Sequence, residues 1–140
     1  MTQPPNLTPA RNARIVREAF SKWASGTGSP FELLTPEATW TIVGRSAVAK
    51  TYPNRDAFLS EVIAPFNARM RSPLVPTVRA VIADGDDVVV LFDASTTARD
   101  GHPYANTYAW FLKMANERVI DVTAFFDSIA FDELWRRVSP

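Results

Sequence analysis

The residues of this chain that could do chemistry concentrate in one stretch. Between Leu91 and Trp110 stand a carboxylate, Asp93, an amide, Asn106, a phenol, Tyr108, and the hydroxyl of Ser95. An Asp-Gly pair between two strand-like runs is a good short-range hairpin signal, and Asp100-Gly101 supplies one here. With Asp100 and Gly101 as the two loop residues, Arg99 faces His102, Ser95 faces Asn106, Asp93 faces Tyr108 and Leu91 faces Trp110. Strand alternation then sends all of these side chains to one side of the sheet. Val90, Phe92, Ala94 and Thr96 go to the other, against Ala105, Thr107, Ala109 and Phe111. Large aromatics mixed with a carboxylate, an amide and hydroxyls suit a small-molecule pocket, which is apolar with a few convergent polar groups. A satisfied structural network or a wet surface would use the same residues, because a buried carboxylate needs hydrogen-bond partners and Tyr108 and Asn106 can supply donors. In the pocket reading Asp93 is a general acid/base, and Tyr108 and Asn106 orient it or the ligand.

The remaining candidates are single residues. His102 sits beside the hairpin turn and reads as an exposed loop histidine, with proton transfer as the sharper option. Arg99 reads as a solvated strand-end cation that pairs with Asp100 or a partner chain. Arg45, Lys50 and Arg55 are loop cations, positioned either for ordinary solvation or to attract an acidic substrate. Trp40 and Trp110 serve equally well as core aromatics or as plates for a flat ligand.

Composition bounds these options. The chain has 140 residues, 46% of them hydrophobic and 21% charged, which fits a single globular domain over 1–140, with residues 1–8 as a loose tail. Fifteen basic and fifteen acidic residues give a formal net charge of zero, which argues against a nucleic-acid binder. The absence of cysteine rules out disulfides, thiol catalysis and cysteine-ligated metals. A single histidine rules out a multi-histidine metal site, and no cofactor is implied. The strongly apolar run Val88–Phe92 is far shorter than the roughly 20 residues a membrane span needs. A cytoplasmic protein with no membrane partner is the expectation.

The elements that must position the candidates follow from periodicity. Ile15, Ala19 and Trp23, with Val16 and Phe20, form the apolar stripe of a helix, with Thr8 as N-cap and Pro9 as its first residue. Phe31–Leu34 makes a further helical turn. Ala38–Gly44 is a short strand that places Trp40 and Ile42 on one face. Arg45–Pro53 reads as loop. Asn54 caps a second helix carrying Phe58, Val62, Phe66 and Met70, with a kink or break at Pro65. Period two then sets in. Strands are expected at 77–83, 87–99, 104–114 and 118–129, with a terminal helical turn at 132–138. The order of helix, strand, helix and four-strand meander gives an α+β fold with helices on one face of a mostly antiparallel sheet.

Trp40-x-Ile42-x-Gly44, the run from Gly101 through Tyr104, Asn106, Tyr108 and Trp110, then Arg118-Val-Ile and Ala124-Phe-Phe-Asp127 together resemble the nuclear transport factor 2-like superfamily. Within it they are most similar to the SnoaL-like (polyketide-cyclase-like) and ketosteroid-isomerase-like branch. The resemblance implies a cone-shaped, curved mixed or antiparallel sheet wrapped around N-terminal helices, a cystatin-like α+β roll. It implies a pocket for a small hydrophobic, cyclic molecule, and a homodimer paired through the sheet. The pocket would be lined by Trp40, Ile42, Leu91, Ser95, Asn106, Trp110 and Phe126.

The catalytic residues of relatives carry over unevenly. A ketosteroid isomerase's base falls at Ile42 and its second acid at Trp110, while its tyrosine falls near Ala19 or Phe20. Base and oxyanion donors are thus absent from those positions. Of the epoxide-hydrolase-like set only the central Asp, at Asp93, is retained. Leu91, Ala124, Trp40 and Ile42 occupy the other positions. The cyclases and dehydratases of the SnoaL type use a pocket Asp or His, which implies cofactor-free isomerase, cyclase or lyase chemistry at Asp93. The same fold also hosts non-catalytic binding and assembly modules. The last strand has two registers. A three-residue turn at Ala115–Glu117 puts Val122, Ala124 and Phe126 on the Trp110 face, and a two-residue turn at Asn116-Glu117 puts Thr123, Phe125 and Asp127 there. The family pattern favours the first, and usually has Gly where this chain has Glu117.

Overall fold

A computed structural model describes residues 6–140. Of the tail expected over 1–8, residues 1–5 lie outside the described residues and Thr8 already belongs to a helix. In chain order come α1 (Thr8–Ser25), a 3-10 turn (Pro30–Leu33), β1 (Leu34–Ile42), β2 (Thr51–Tyr52), α2 (Arg55–Phe58), a π turn (Leu59–Ile63) and α3 (Ala64–Ala68). Then follow β3 (Val75–Asp84), β4 (Asp87–Thr97), β5 (Pro103–Ala115), β6 (Arg118–Phe126) and α4 (Ser128–Arg137). One sheet holds all six strands in the order β2-β1-β6-β5-β4-β3. Every pair is antiparallel except β1 with β6, so the sheet is mixed.

Local chemistry explains the boundaries. Thr8 is the first residue of α1, not its cap, and Asn6 Oδ1 accepts the Thr8 N–H. Asn54 caps α2 through the Ala57 N–H. Pro65 cannot donate a backbone hydrogen bond, and the chain meets it by widening into the π turn just before it instead of breaking. The segment read as loop contains β2, which pairs Tyr52 with Trp40. The last strand stops at Phe126 because the Asp127 carboxylate accepts the Ile129 and Ala130 N–H groups and starts α4.

One face of the sheet carries the core. Val88, Val90, Phe92 and Ala94 of β4 point inward with Tyr104, Asn106, Tyr108, Trp110 and Leu112 of β5 and Val122 and Ala124 of β6, all buried. Phe20 of α1 meets the Phe92 ring at 4.9 Å and Trp110 at 5.6 Å. At the opposite end the buried Arg69 ties α4 down. Its Nε donates to the Val138 carbonyl at 2.7 Å, its Nη1 donates to the Pro65 carbonyl at 2.9 Å, and the guanidinium lies 3.7 Å over the Trp135 ring. Burial, and then the charge of Arg99, lower the pKa of Arg69.

The β4–β5 hairpin corrects the expected register by one residue. Ala98 N–H donates to the His102 carbonyl and Gly101 N–H to the Ala98 carbonyl, so the loop is the three residues Arg99, Asp100 and Gly101. Gly101 takes φ 87°, the left-handed position that closes such a loop and that glycine accepts without strain. Asp93 therefore pairs with Thr107, Phe92 with Tyr108 and Val90 with Trp110. Asp93 does not face Tyr108.

Candidate functional site

Between the inner face and the helices lies a cavity of about 500 Å3. Its walls are rings: Trp23 from α1, Phe31 from the 3-10 turn, Trp40 from β1, Phe58 and Phe66 from the second helical segment, Tyr108 and Trp110 from β5, Phe126 from the end of β6 and Phe131 from α4. Ile42 and Ala124 also line it. Trp40 stacks on Phe58 at 4.0 Å and meets Trp110 edge-on at 5.0 Å, and Phe92 supports Trp110 from behind at 4.8 Å. Exposed Asn67, Arg71, Ser72 and Pro73 also border it, as does Ser29. Among the described residues no carboxylate, histidine or lysine lines this space. No group of three or more His, Asp or Glu among them comes together as a metal site.

The cavity thus gathers Trp40, Ile42, Tyr108, Trp110 and Phe126 of the expected pocket. It excludes Leu91, Asp93 and Ser95. These three fall on the outer face because the hairpin loop has one residue more than the Asp-Gly reading allows. The Asp93 side chain is 49% exposed, accepts a hydrogen bond from Thr107 Oγ1 at 2.6 Å and lies 3.7 Å from Arg79. It borders a separate, smaller depression with Ser95, Asn106 and Thr107. Asp93 therefore does not stand in the cavity, where the acid/base reading needs it. The loop cations do not line the cavity either. Lys50 pairs with Glu61 at 2.9 Å, and Arg55 lies 3.7 Å from Asp56. Arg99 donates to the Ser139 carbonyl, while Asp100 pairs with Arg137 at 2.5 Å. His102 is exposed, and its backbone N–H donates to Asp100.

Asn106 is buried just beyond the cavity and every polar atom of its amide is used. Oδ1 accepts the Asp127 N–H at 3.0 Å and the Thr107 N–H at 2.7 Å. Nδ2 donates to the Asp127 carbonyl at 3.0 Å and to Tyr104 Oη at 2.9 Å. Tyr104 Oη lies 2.6 Å from Tyr108 Oη. Burial pushes the Tyr104 phenol up to about 12. Burial first, and then Tyr104, push Tyr108 well above the usual phenol range. Tyr104 is the partner that sequence reasoning missed. The signal was there, because Tyr104, Asn106, Tyr108 and Trp110 alternate on one face of β5. The last strand uses the two-residue turn at Asn116-Glu117 yet puts Val122, Ala124 and Phe126 on the Trp110 side. An irregularity between Lys113 and Met114 absorbs the difference.

The comparisons with known proteins agree with this geometry. A family model for the SnoaL-like domain matches residues 16–122, most of the chain. The chain belongs to the SnoaL-like family. Three solved structures share its α+β fold. Bal32a, from a soil-derived mobile gene cassette, is 24% identical over 92% of this chain and 99% of its own, with a TM-score of 0.75. An NTF2-like protein of unknown function from Burkholderia pseudomallei is 18% identical over 88% of this chain and 95% of its own, with a TM-score of 0.71. TerC, crystallised with polyporic acid, is 18% identical over 88% of this chain and 96% of its own, with a TM-score of 0.70. A search of curated protein sequences gives no significant match. No helix among the described residues of this SnoaL-like chain is long and apolar enough to cross a membrane.

Proposed function

We propose that this SnoaL-like domain binds a flat, apolar ring compound in the inner cavity. One observation carries the reading: about 500 Å3 of space walled by aromatic rings, with no acidic or basic side chain except Arg71. That volume falls in the range of small-molecule sites. Filling it would remove ring surface of ligand and protein from water at roughly 25 cal/mol per Å2. A base-driven isomerase or lyase reaction receives little support, because a base must reach the proton it takes and Asp93 lies on the other face. What the walls offer a ligand is stacking and one phenol, with Ser29, Asn67, Arg71 and Ser72 at the border. Native mass spectrometry of freshly purified protein, followed by denaturation, tests the proposal. A released aromatic or polycyclic molecule is the expected outcome. If neither co-purified nor added ring compounds occupy the protein, the reading fails.

A second reading rests on the outer face. Phe111 and Phe125 stand there 46% and 43% exposed, their rings 5.7 Å apart, with Ile82 exposed further along the sheet. Exposed apolar side chains of this size mark an association surface. We propose a homodimer paired through this face. Sedimentation of wild type and Phe111→Asp decides it: the dimer should become a monomer, and a monomeric wild type would refute it.

A further inference from the structure

The direction of one short hydrogen-bond chain names what the ligand must carry. The Asn106 amide cannot be flipped, because Asp127 offers an N–H to its Oδ1 and a carbonyl to its Nδ2. Nδ2 is therefore the atom facing Tyr104, and Tyr104 Oη accepts from it. Tyr104 is buried, and its only other hydroxyl partner is Tyr108 Oη. If Tyr108 donated to Tyr104, the Tyr104 proton would be left inside the protein with no acceptor, which a folded protein avoids. Running the chain from Asn106 to Tyr104 to Tyr108 instead puts the unpaired proton on Tyr108, the end nearer the cavity. Within this chain the Tyr108 hydroxyl proton is then the donor left for a ligand. Tyr108 is also the member of the chain that lines the cavity.

We infer that the Asn106–Tyr104–Tyr108 chain makes Tyr108 a fixed hydrogen-bond donor to a ligand oxygen, so that the cavity selects ring compounds bearing a carbonyl or similar acceptor over the corresponding hydrocarbons. This rests on the ring-binding reading above and adds the polar group that orients the ligand. Because Tyr104 already donates to Tyr108, the Tyr108 oxygen offers a ligand a donor in preference to an acceptor. Links polarised in series strengthen the terminal donor. Tyr104 and Asn106 act through Tyr108 and are positioning residues.

The pair 9-fluorenone and fluorene tests this, since the two share a planar tricyclic skeleton and differ by the carbonyl. Quenching of the tryptophans that line the cavity reports affinity, and the infrared carbonyl stretch of bound fluorenone reports the hydrogen bond. In wild type the stretch should fall below its position in a solvent without donors. Tyr108→Phe should return it to that position and weaken fluorenone about fivefold to tenfold, the net worth of one hydrogen bond, while leaving fluorene unchanged. Tyr104→Phe keeps the Tyr108 hydroxyl and should return only part of the shift. An unshifted stretch in wild type, or equal effects of Tyr108→Phe on both probes, would overturn the inference and leave the ring-binding reading standing. Failure of both probes to bind folded wild type would overturn both. Should Tyr108→Phe lose fluorene through misfolding, the stretch in wild type and Tyr104→Phe decides.

Discussion

Adjacent residues of β4 occupy two different environments. Phe92 is fully buried, with rings of Phe20, Tyr108 and Trp110 within 5 Å of its own. Its neighbour Asp93 points the other way, half exposed, to Thr107 and Arg79. On β5 the same alternation separates the buried Trp110 from the exposed Phe111. Aromatic residues occur on both faces, so ring content alone does not distinguish a core from a surface. What differs is what covers them. Truncation measures that difference. Phe92→Ala removes a fully packed ring and should cost about 3–5 kcal/mol in urea denaturation. Phe125→Ala should cost within about 0.5 kcal/mol at protein concentrations too low for association. Comparable costs at such dilution would mean that the outer face is covered within the monomer itself, and the comparison would collapse.

Alkaline pH probes the inner face by a second route. Tyr104 ionises near pH 10.0 in the unfolded chain and at about 12 in the folded one, chiefly because of burial. The folded state thus holds the proton more tightly. The stability contributed is fully present below pH 10 and is lost as pH rises toward 12. The loss should be on the order of 2 kcal/mol, and Tyr108, shifted in the same direction, adds to it. Denaturation midpoints between pH 9 and 11.5 should fall for wild type and fall less for the Tyr104→Phe, Tyr108→Phe double variant. Equal slopes would show that the pair is hydrated.

Most of the scaffold was legible in the sequence because its periods are strong. The helix bearing Val16 and Phe20, the strand over the β-branched and aromatic run of β4, and Trp40 with Ile42 on one face of β1 all reappear as elements. What was not legible was the length of one loop. Asp-Gly suits both a two-residue hairpin and the last two positions of a three-residue one, and the choice moves every β4 side chain to the other face relative to β5. Core composition held the missing information. Matching Val88, Val90 and Phe92 with Tyr108 and Trp110 assembles one dry face, whereas the two-residue loop would bury Asp93 against Tyr108. Tertiary partners such as Phe131 and the Arg69–Trp135 contact lie too far apart in sequence for periodicity to reveal.

The β5–β6 turn offers a smaller test. Asn116 and Glu117 take φ 51° and 66°, the paired left-handed angles of a tight hairpin in which glycine is favoured at the second position. Glu117 gains little in return, since Arg11 lies 3.7 Å away and both side chains are about half exposed. Glu117→Gly should raise stability by about 0.5–1 kcal/mol, after offsetting the added freedom of the unfolded chain. The inner-face register should be unchanged, because the irregularity at Lys113/Met114 sets it and the turn residue does not. A loss of stability would mean that the Glu117 side chain holds the turn.

Asp93→Asn should have the smallest effect and separates the two faces most directly. The asparagine can keep the Thr107 contact, and the Arg79 pair is long and exposed, so stability should change by about 0.5 kcal/mol or less. Fluorenone affinity and carbonyl stretch should match wild type, because the carboxylate is on the far side of the sheet from the cavity. If Asp93→Asn altered the bound carbonyl stretch as Tyr108→Phe does, the hairpin would have to adopt the two-residue loop in solution, and Asp93 would return to the site as its acid/base. An unchanged stretch leaves the phenol of Tyr108 to orient the ligand and the carboxylate to the hydrogen bonds of the outer sheet.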